Sequence, residues 1–175
     1  MDMFCPNLTP QQIFQQGAFG GTYWRPIHSR ITGKKYSNQH LEFPKSWWSG
    51  LTSNQLTSTK YNTNLNKYGV KVGTTLEFWE DKGWINSQDP YGWMQWYCRY
   101  KQGRRTSDDK RQIKRWLALA GPNGRFRKWL ITQIVKSGKS WNDHSVSPKI
   151  RQTLLHWGYQ LTKKDYLNEL KNRNS

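Results

Sequence analysis

Aromatic side chains set the strongest limit on how this chain can fold. Its 175 residues include 11 Trp, nine Tyr and six Phe, whereas only 34% of the chain is hydrophobic and the mean hydropathy is −0.99. A composition this polar is otherwise typical of disorder. Each buried ring, however, removes roughly 150–250 Å² from water, so a few large rings can offset the chain entropy that folding costs. We therefore expect a folded protein with an aromatic core and fraying ends.

The chain carries regular helix start and stop signals. Ser, Thr or Asp followed by Pro or by an acidic residue is typical of a helix N-terminus, and glycines follow where each segment should end. Between these signals, apolar residues recur at helical spacing, as in Trp93, Trp96, Tyr97 and Tyr100. Helix starts are predicted at Thr9-Pro10, Thr74 with Glu77, Asp89-Pro90, Ser107 with Asp108 and Asp109, Gly124, Ser147-Pro148 and Thr162.

These signals predict a mainly α fold in a single domain, 1–175. About six to seven short helices should occupy 74–172, while 1–73 should form an irregular or mixed N-terminal part that could hold a small β-sheet. The Ser, Thr and Asn content of 51–66 predicts a long polar loop or a partly disordered connection. The β-like pieces of the N-terminal part are Tyr23–Trp24 and Tyr68–Val72.

Positive charge is concentrated in residues 99–139, which hold 13 Lys and Arg against Asp108 and Asp109, a net +11 out of +17 for the chain. The commonest polyanion that a basic domain meets is nucleic acid. We therefore expect 74–172 to be the nucleic-acid-binding part, with DNA favoured over RNA. The predicted phosphate contacts are Arg99, Lys101, Arg104, Arg105, Lys110, Arg111, Lys114, Arg115, Arg125, Arg127 and Lys128.

The centre of this basic segment resembles a helix-turn-helix in outline. Cationic pairs spaced i, i+4 on the first helix lie away from its apolar residues, and a four-residue turn, 121–124, leads into a second basic helix. The turn also resembles the G-x-x-G loop that clamps a nucleic-acid backbone. Two readings of its glycines remain open: a structural turn, or a loop whose exposed amides contact phosphates.

Tryptophans have two possible roles in such a protein, since single-strand binders stack bases on aromatic rings. Helical spacing predicts core positions for Trp93, Trp96, Trp116, Trp129 and Trp157. Two adjacent tryptophans cannot both point inward from a regular element, so one of the 47–48 pair should be exposed. The base-stacking candidates are Trp47, Trp48 and Trp24.

Catalysis has little support in the sequence. The four His and two Cys show no metal-ligand spacing, and Cys98 in its aromatic helix is predicted to be a buried small hydrophobe. Two sets of residues resemble the acid…acid-x-Lys pattern of metal-dependent nucleases, in which two carboxylates hold Mg²⁺: Asp89 with Asp108, Asp109 and Lys110, or Glu77 with Glu80, Asp81 and Lys82. The sequence leaves enzyme activity open and favours a protein without catalysis and without a cofactor; Mg²⁺ enters only under the nuclease alternative. Its candidate catalytic residues are Asp89, Asp108, Asp109 and Lys110.

The chain shows no secretory signal and no apolar run near the ~20 residues of a membrane span. Its two cysteines, Cys5 and Cys98, are too few and too far apart for a disulfide framework. We therefore expect an intracellular protein that is not secreted, in the nucleus, an organelle, a virion or a virus-infected cell. We expect no membrane partner and no small-molecule cofactor, and the oligomeric state stays open.

The stretch 89–116, together with 147–159, resembles an uncharacterised family of basic, Trp-rich proteins from large DNA viruses, algae and fungi. The motif reads GWMQWYCRY…GRR…DDKRQIKRW, and the likeness extends from 20–30 onward. The resemblance implies a DNA-related setting and supplies no catalytic residues.

Three hypotheses follow from the sequence. The first is a nucleic-acid-binding protein, DNA favoured, that contacts the phosphate backbone through the helix-turn-helix-like segment 99–139. The second is an enzyme on nucleic acid, either a metal-dependent nuclease or a base-processing enzyme. The third is a packaging or assembly protein that neutralises DNA without sequence preference. A domain that docks on an acidic protein is a further possibility.

Overall fold

Helices dominate the protein, as predicted. The computed structural model describes residues 3–175. Most of the helices follow residue 74, in the part of the chain where the start signals are densest. The helices are α1 (Pro10–Gln16), α2 (Ser53–Leu56), α3 (Leu76–Asp81), α4 (Trp93–Lys101), α5 (Asp109–Ala120), α6 (Arg125–Ser137), α7 (Pro148–His156) and α8 (Lys163–Arg173).

Local hydrogen bonds explain where the helices begin. Thr9 forms the predicted cap of α1, within a capping box completed by Gln12, and Thr162 caps α8 through the backbone N–H of Asp165. The cap of α3 is Thr75 and not Thr74, because the Thr75 hydroxyl accepts from the N–H of Phe78.

Asp89 does not cap α4, contrary to the sequence prediction. The helix begins at Trp93, after Gly92. The Asp89 carboxylate binds two arginines instead, so both of its oxygens pair with full positive charges and not with backbone N–H groups of the helix start.

The N-terminal third contains the predicted small sheet, at a different place. Strands β1 (Ile27–His28) and β2 (Lys35–Tyr36) pair antiparallel, with Ile27 opposite Tyr36. The predicted strands at 23–24 and 68–72 are wrong. The rings of Tyr23 and Trp24 are buried in the core. Side-chain packing therefore sets the backbone conformation of residues 23–24, which do not pair with another strand.

Residues 51–66 are more ordered than the sequence predicts. They contain α2, whose Leu56 is buried, and a 3-10 turn at Thr63–Leu65. Asn66 then lies buried, accepting from the Gly20 N–H at 2.8 Å and donating to the Val70 carbonyl at 2.7 Å. Polar side chains fix this segment by satisfying buried backbone groups, which hydropathy alone does not reveal.

The core is aromatic, as the composition predicts. Trp93, Trp96 and Trp116 are buried, which confirms three of the predicted core positions, and Trp157 is half-buried against Trp93. The prediction for Trp129 is wrong, because 51% of it is exposed. The inner face of α6 is formed by the aliphatic residues Leu130, Ile131 and Ile134 and by Arg127.

The turn between α5 and α6 needs its glycines for close packing. A Cβ on Gly124 would lie 2.5 Å from the carbonyl carbon and oxygen of Leu119, and a Cβ on Gly121 would lie 2.8 Å from the oxygen of Leu117. Both glycines are buried, whereas Pro122 between them is exposed. The geometry therefore favours the structural reading of this turn.

We expect Gly124→Ala to lower the free energy of unfolding by about 1–3 kcal/mol, because backbone atoms must shift to admit the methyl group. Urea denaturation measures the change. Asn123→Ala, at an exposed position of the same turn, should change it by less than about 0.5 kcal/mol. A Gly124→Ala protein of unchanged stability that lost nucleic-acid affinity would favour the backbone-contact reading instead.

Candidate nucleic-acid interface

Two of the predicted phosphate-binding arginines are held by carboxylates of the protein. Arg99 and Arg104 approach opposite oxygens of Asp89, at 2.9 and 2.6 Å. Arg99 also binds Glu42 through two hydrogen bonds of 2.7 and 2.9 Å. The Asp89 side chain is only 1% exposed, so this network joins the loop before α4 to the helix end. These two cations serve the fold.

Arg111 and Arg127 also have partners inside the protein. Arg111 forms two hydrogen bonds with Asp108, of 2.6 and 3.0 Å. Arg127 is buried, donates to the carbonyl of Ala120 and lies 4.1 Å above the Tyr159 ring. Neither side chain is free to contact a phosphate without breaking these contacts.

The other seven predicted cations have no carboxylate within 4 Å among residues 3–175, and we call them the unpaired cations. Lys110 and Lys114 lie one turn apart on an exposed face of α5. Arg105 lies 3.6 Å above the ring of Tyr100 and is exposed. The unpaired cations are Lys101, Arg105, Lys110, Lys114, Arg115, Arg125 and Lys128.

The nuclease candidates have structural partners as well. Asp89 and Asp108 bind the arginines just described, and Asp109 accepts from Trp96 Nε1 at 2.8 Å and from the Thr106 N–H at 2.9 Å. Lys110 points to solvent. Within the described part of the chain, no three His, Cys, Asp or Glu residues lie close enough together to hold a metal ion.

The predicted base-stacking tryptophans do not form a platform. Trp24 and Trp48 are buried, and Trp48 Nε1 donates to the carbonyl of His40. Trp47 is half-buried and stacks parallel on Phe43, with ring centroids 5.4 Å apart. These rings belong to the same hydrophobic core as the helices, and Trp24 contacts Tyr91 in the segment before α4 with ring centroids 5.3 Å apart.

The structure instead shows an aromatic cleft that the sequence did not reveal, with a volume of about 870 Å³. Its walls come from the segments 19–25, 59–61 and 71–75, from α3 and the loop after it, and from α4, α5, α6 and α7. Two of its rings stay open to solvent: Trp84 is 38% exposed and Phe78 is 39% exposed. The aromatic lining includes Tyr61, Phe78, Trp79, Trp84, Phe126 and Trp157.

Four cations line the same cleft: Arg25, Lys71, Arg115 and Arg125. Arg115 lies between two rings, 5.6 Å from the centre of Trp84 and 5.3 Å from that of Trp157. Burial, with the nearby Arg111 charge, lowers the pKa of Arg115 to about 10. The guanidinium therefore stays charged at neutral pH, without a carboxylate partner among the described residues.

One of the aromatic residues that line the cleft has a strained backbone. Phe19 has a φ of 60°, a conformation that bulky residues rarely adopt. Its ring stacks on His156 at 4.0 Å, and its N–H donates to His156 Nε2 at 3.0 Å. Nε2 is thus an acceptor, so the neutral ring carries its proton on Nδ1. Burial lowers the pKa of His156 to about 3, which keeps it neutral.

No protein-family model, curated protein or solved structure matches the chain. The resemblance to the Trp-rich viral, algal and fungal family stays a prediction. Within residues 3–175, every helix is too short or too polar to cross a lipid bilayer.

Proposed function

We propose that this protein binds nucleic acid, DNA in preference to RNA, by contacting the phosphate backbone with the unpaired cations of α4, α5, α6 and the α4–α5 connection. The observation that carries the proposal is how many of the predicted phosphate-binding cations lack a carboxylate partner in the protein. Four of the eleven predicted arginines and lysines are paired with carboxylates of the protein, whereas seven have no carboxylate partner among the described residues. The preference for DNA rests on the resemblance to a family found in large DNA viruses.

Repulsion between neighbouring unpaired cations supports an anionic ligand for them. Lys110 and Lys114 are like charges at i, i+4, which destabilises a helix by a few tenths of a kcal/mol. Phosphates would relieve this repulsion, and each phosphate neutralised releases counterions into solution. If about five of the seven cations contact phosphates, log Kd should vary with log salt with a slope of roughly 4.5 on duplex DNA.

Fluorescence anisotropy across a salt series tests the proposal, with labelled duplex DNA, single-stranded DNA and RNA of one sequence. We expect Lys110→Glu/Lys114→Glu to weaken binding and to reduce the slope by about 2, one for each lost phosphate contact. The matched control is Lys163→Glu/Lys164→Glu, the same charge change at exposed positions of α8, a helix that contributes no residue to the cleft.

The control should keep the wild-type slope. Equal losses in both variants would mean that net charge alone, and not this surface, drives binding. An absence of binding to every probe at low salt would show that the proposal is wrong.

A further inference from the structure

We propose that the aromatic cleft receives one unpaired nucleobase of the bound strand, with the adjoining phosphates on Arg115 and Arg125. This inference deepens the proposed function and rests on it. It identifies where a base, as distinct from the backbone, would contact the protein.

The rings of the cleft suit a base. Trp84 and Phe78 meet edge to face with centroids 5.6 Å apart, and both keep more than a third of their surface exposed. The volume of about 870 Å³ falls within the range of roughly 300–1,000 Å³ typical of sites that enclose organic ligands. Every base has a π-face that can stack on such rings, whatever its identity.

The charges of the cleft suit a phosphate beside that base. Arg25, Lys71, Arg115 and Arg125 line it, against a single acidic residue, Glu77, among the described lining residues. An apolar ligand would not explain these four cations, and a simple anion would not explain the rings. A nucleotide unit carries both chemistries.

His156 offers a polar contact for a base edge in the cleft. His156 lines the cleft and holds its proton on Nδ1, since Nε2 accepts from the Phe19 N–H. Nδ1 has no hydrogen-bond partner in the described part of the chain, so it could donate to a ring nitrogen or carbonyl of a base. The strained φ of Phe19 beside it is of the kind that clusters at binding sites.

The occupant should belong to a polymer and be unpaired. Ala118 of α5 lines the cleft, and Lys114 precedes it by one helical turn, so unpaired cations continue along the helix beyond the cleft. A free mononucleotide would leave them without a partner. A base within a duplex is stacked on both faces, so only a single-stranded or extruded base can enter a concave site.

Three labelled probes of equal length test the inference: a single-stranded DNA, the same strand made wholly of abasic sites, which carries the same phosphates, and the duplex. Anisotropy at one moderate salt gives the affinity of each. We expect the wild-type protein to bind the base-bearing strand about 5-fold to 150-fold more tightly than the abasic strand. The ratio between these two strands isolates the base from the backbone.

Variants of two exposed tryptophans test whether Trp84 is the source of this affinity ratio. Trp84→Ala should bring this ratio close to one, even where the loss of the ring that packs against Arg115 also changes the affinity for the abasic strand. Trp84→Phe should keep most of the ratio. The matched control is Trp129→Ala, which removes another exposed tryptophan, outside this cleft; its ratio should equal that of the wild type. Circular dichroism checks that each variant is folded.

A wild-type ratio near one would overturn the base site while leaving backbone binding intact, and this outcome needs no variant. The base site would also be overturned if Trp129→Ala abolished the ratio and Trp84→Ala did not, because the base would then contact α6. Failure to bind any probe would reject the proposed function itself.

Photocrosslinks from 5-iodouracil in the single strand should map to Phe78, Trp84 or Trp157.

Discussion

Replacing Asp89 with alanine should lower the free energy of unfolding by about 3–5 kcal/mol, the usual cost of removing one partner from a buried ion pair. The Asp89 carboxylate is 1% exposed and neutralises both Arg99 and Arg104. Its loss leaves two partly buried guanidiniums beside each other without their shared anion, and Arg104 Nε already lacks a hydrogen-bond partner. Urea denaturation at pH 7 measures the change.

Glu42→Ala provides the matched comparison, because Glu42 binds the same Arg99 from a position that is 40% exposed. Exposed ion pairs contribute little, so this variant should cost less than about 1 kcal/mol. Equal costs for the two variants would contradict a buried role for Asp89. An Asp89→Ala protein of unchanged stability that lost Mg²⁺-dependent turnover on DNA would support the nuclease alternative.

Arg99 and Arg104 show what the charge of a sequence segment cannot predict. The count of cations in 99–139 indicated the class of ligand, and local spacing placed Lys110 and Lys114 together on α5. Nothing local indicated that Arg99 meets Glu42, 57 positions away. A charge run contains both cations that pair with carboxylates of the protein and cations that do not, and only the long-range contacts distinguish the two groups.

Helices were predictable because their signals are local, whereas the cleft was not. Residues typical of helix ends and apolar spacing predicted α4 and α5 to within a few residues, and the spacing predicted the burial of Trp96 and Trp116. The same spacing failed at Trp129, since it does not say which side of α6 meets the core. The cleft combines Phe19 with His156, 137 positions apart, a juxtaposition that depends on tertiary packing and has no sequence spacing to reveal it.

Acid should destabilise the protein in part through His156. Its pKa is about 3 in the folded protein and about 6.5 in the unfolded chain. Below pH 6.5 the unfolded chain therefore binds a proton that the folded protein does not. The free energy of unfolding should fall by about 1.4 kcal/mol per pH unit as the pH drops from 6.5 toward 3. Between pH 7 and pH 4.5 this single group accounts for about 2–3 kcal/mol.

His156→Gln isolates this contribution. A glutamine can offer its Oε1 to the Phe19 N–H in place of the imidazole nitrogen, yet it does not titrate. The pKa values of His40 and His144 are also lowered by burial, and both groups remain in the variant, so subtracting the two stability curves cancels them. We expect the difference between wild type and variant to change by about 2–3 kcal/mol from pH 7 to pH 4.5 in urea denaturation. Parallel curves would mean that the folded protein protonates His156 as readily as the unfolded chain does. Nε2 could then no longer accept from the Phe19 N–H, and the assignment of this hydrogen bond would be wrong.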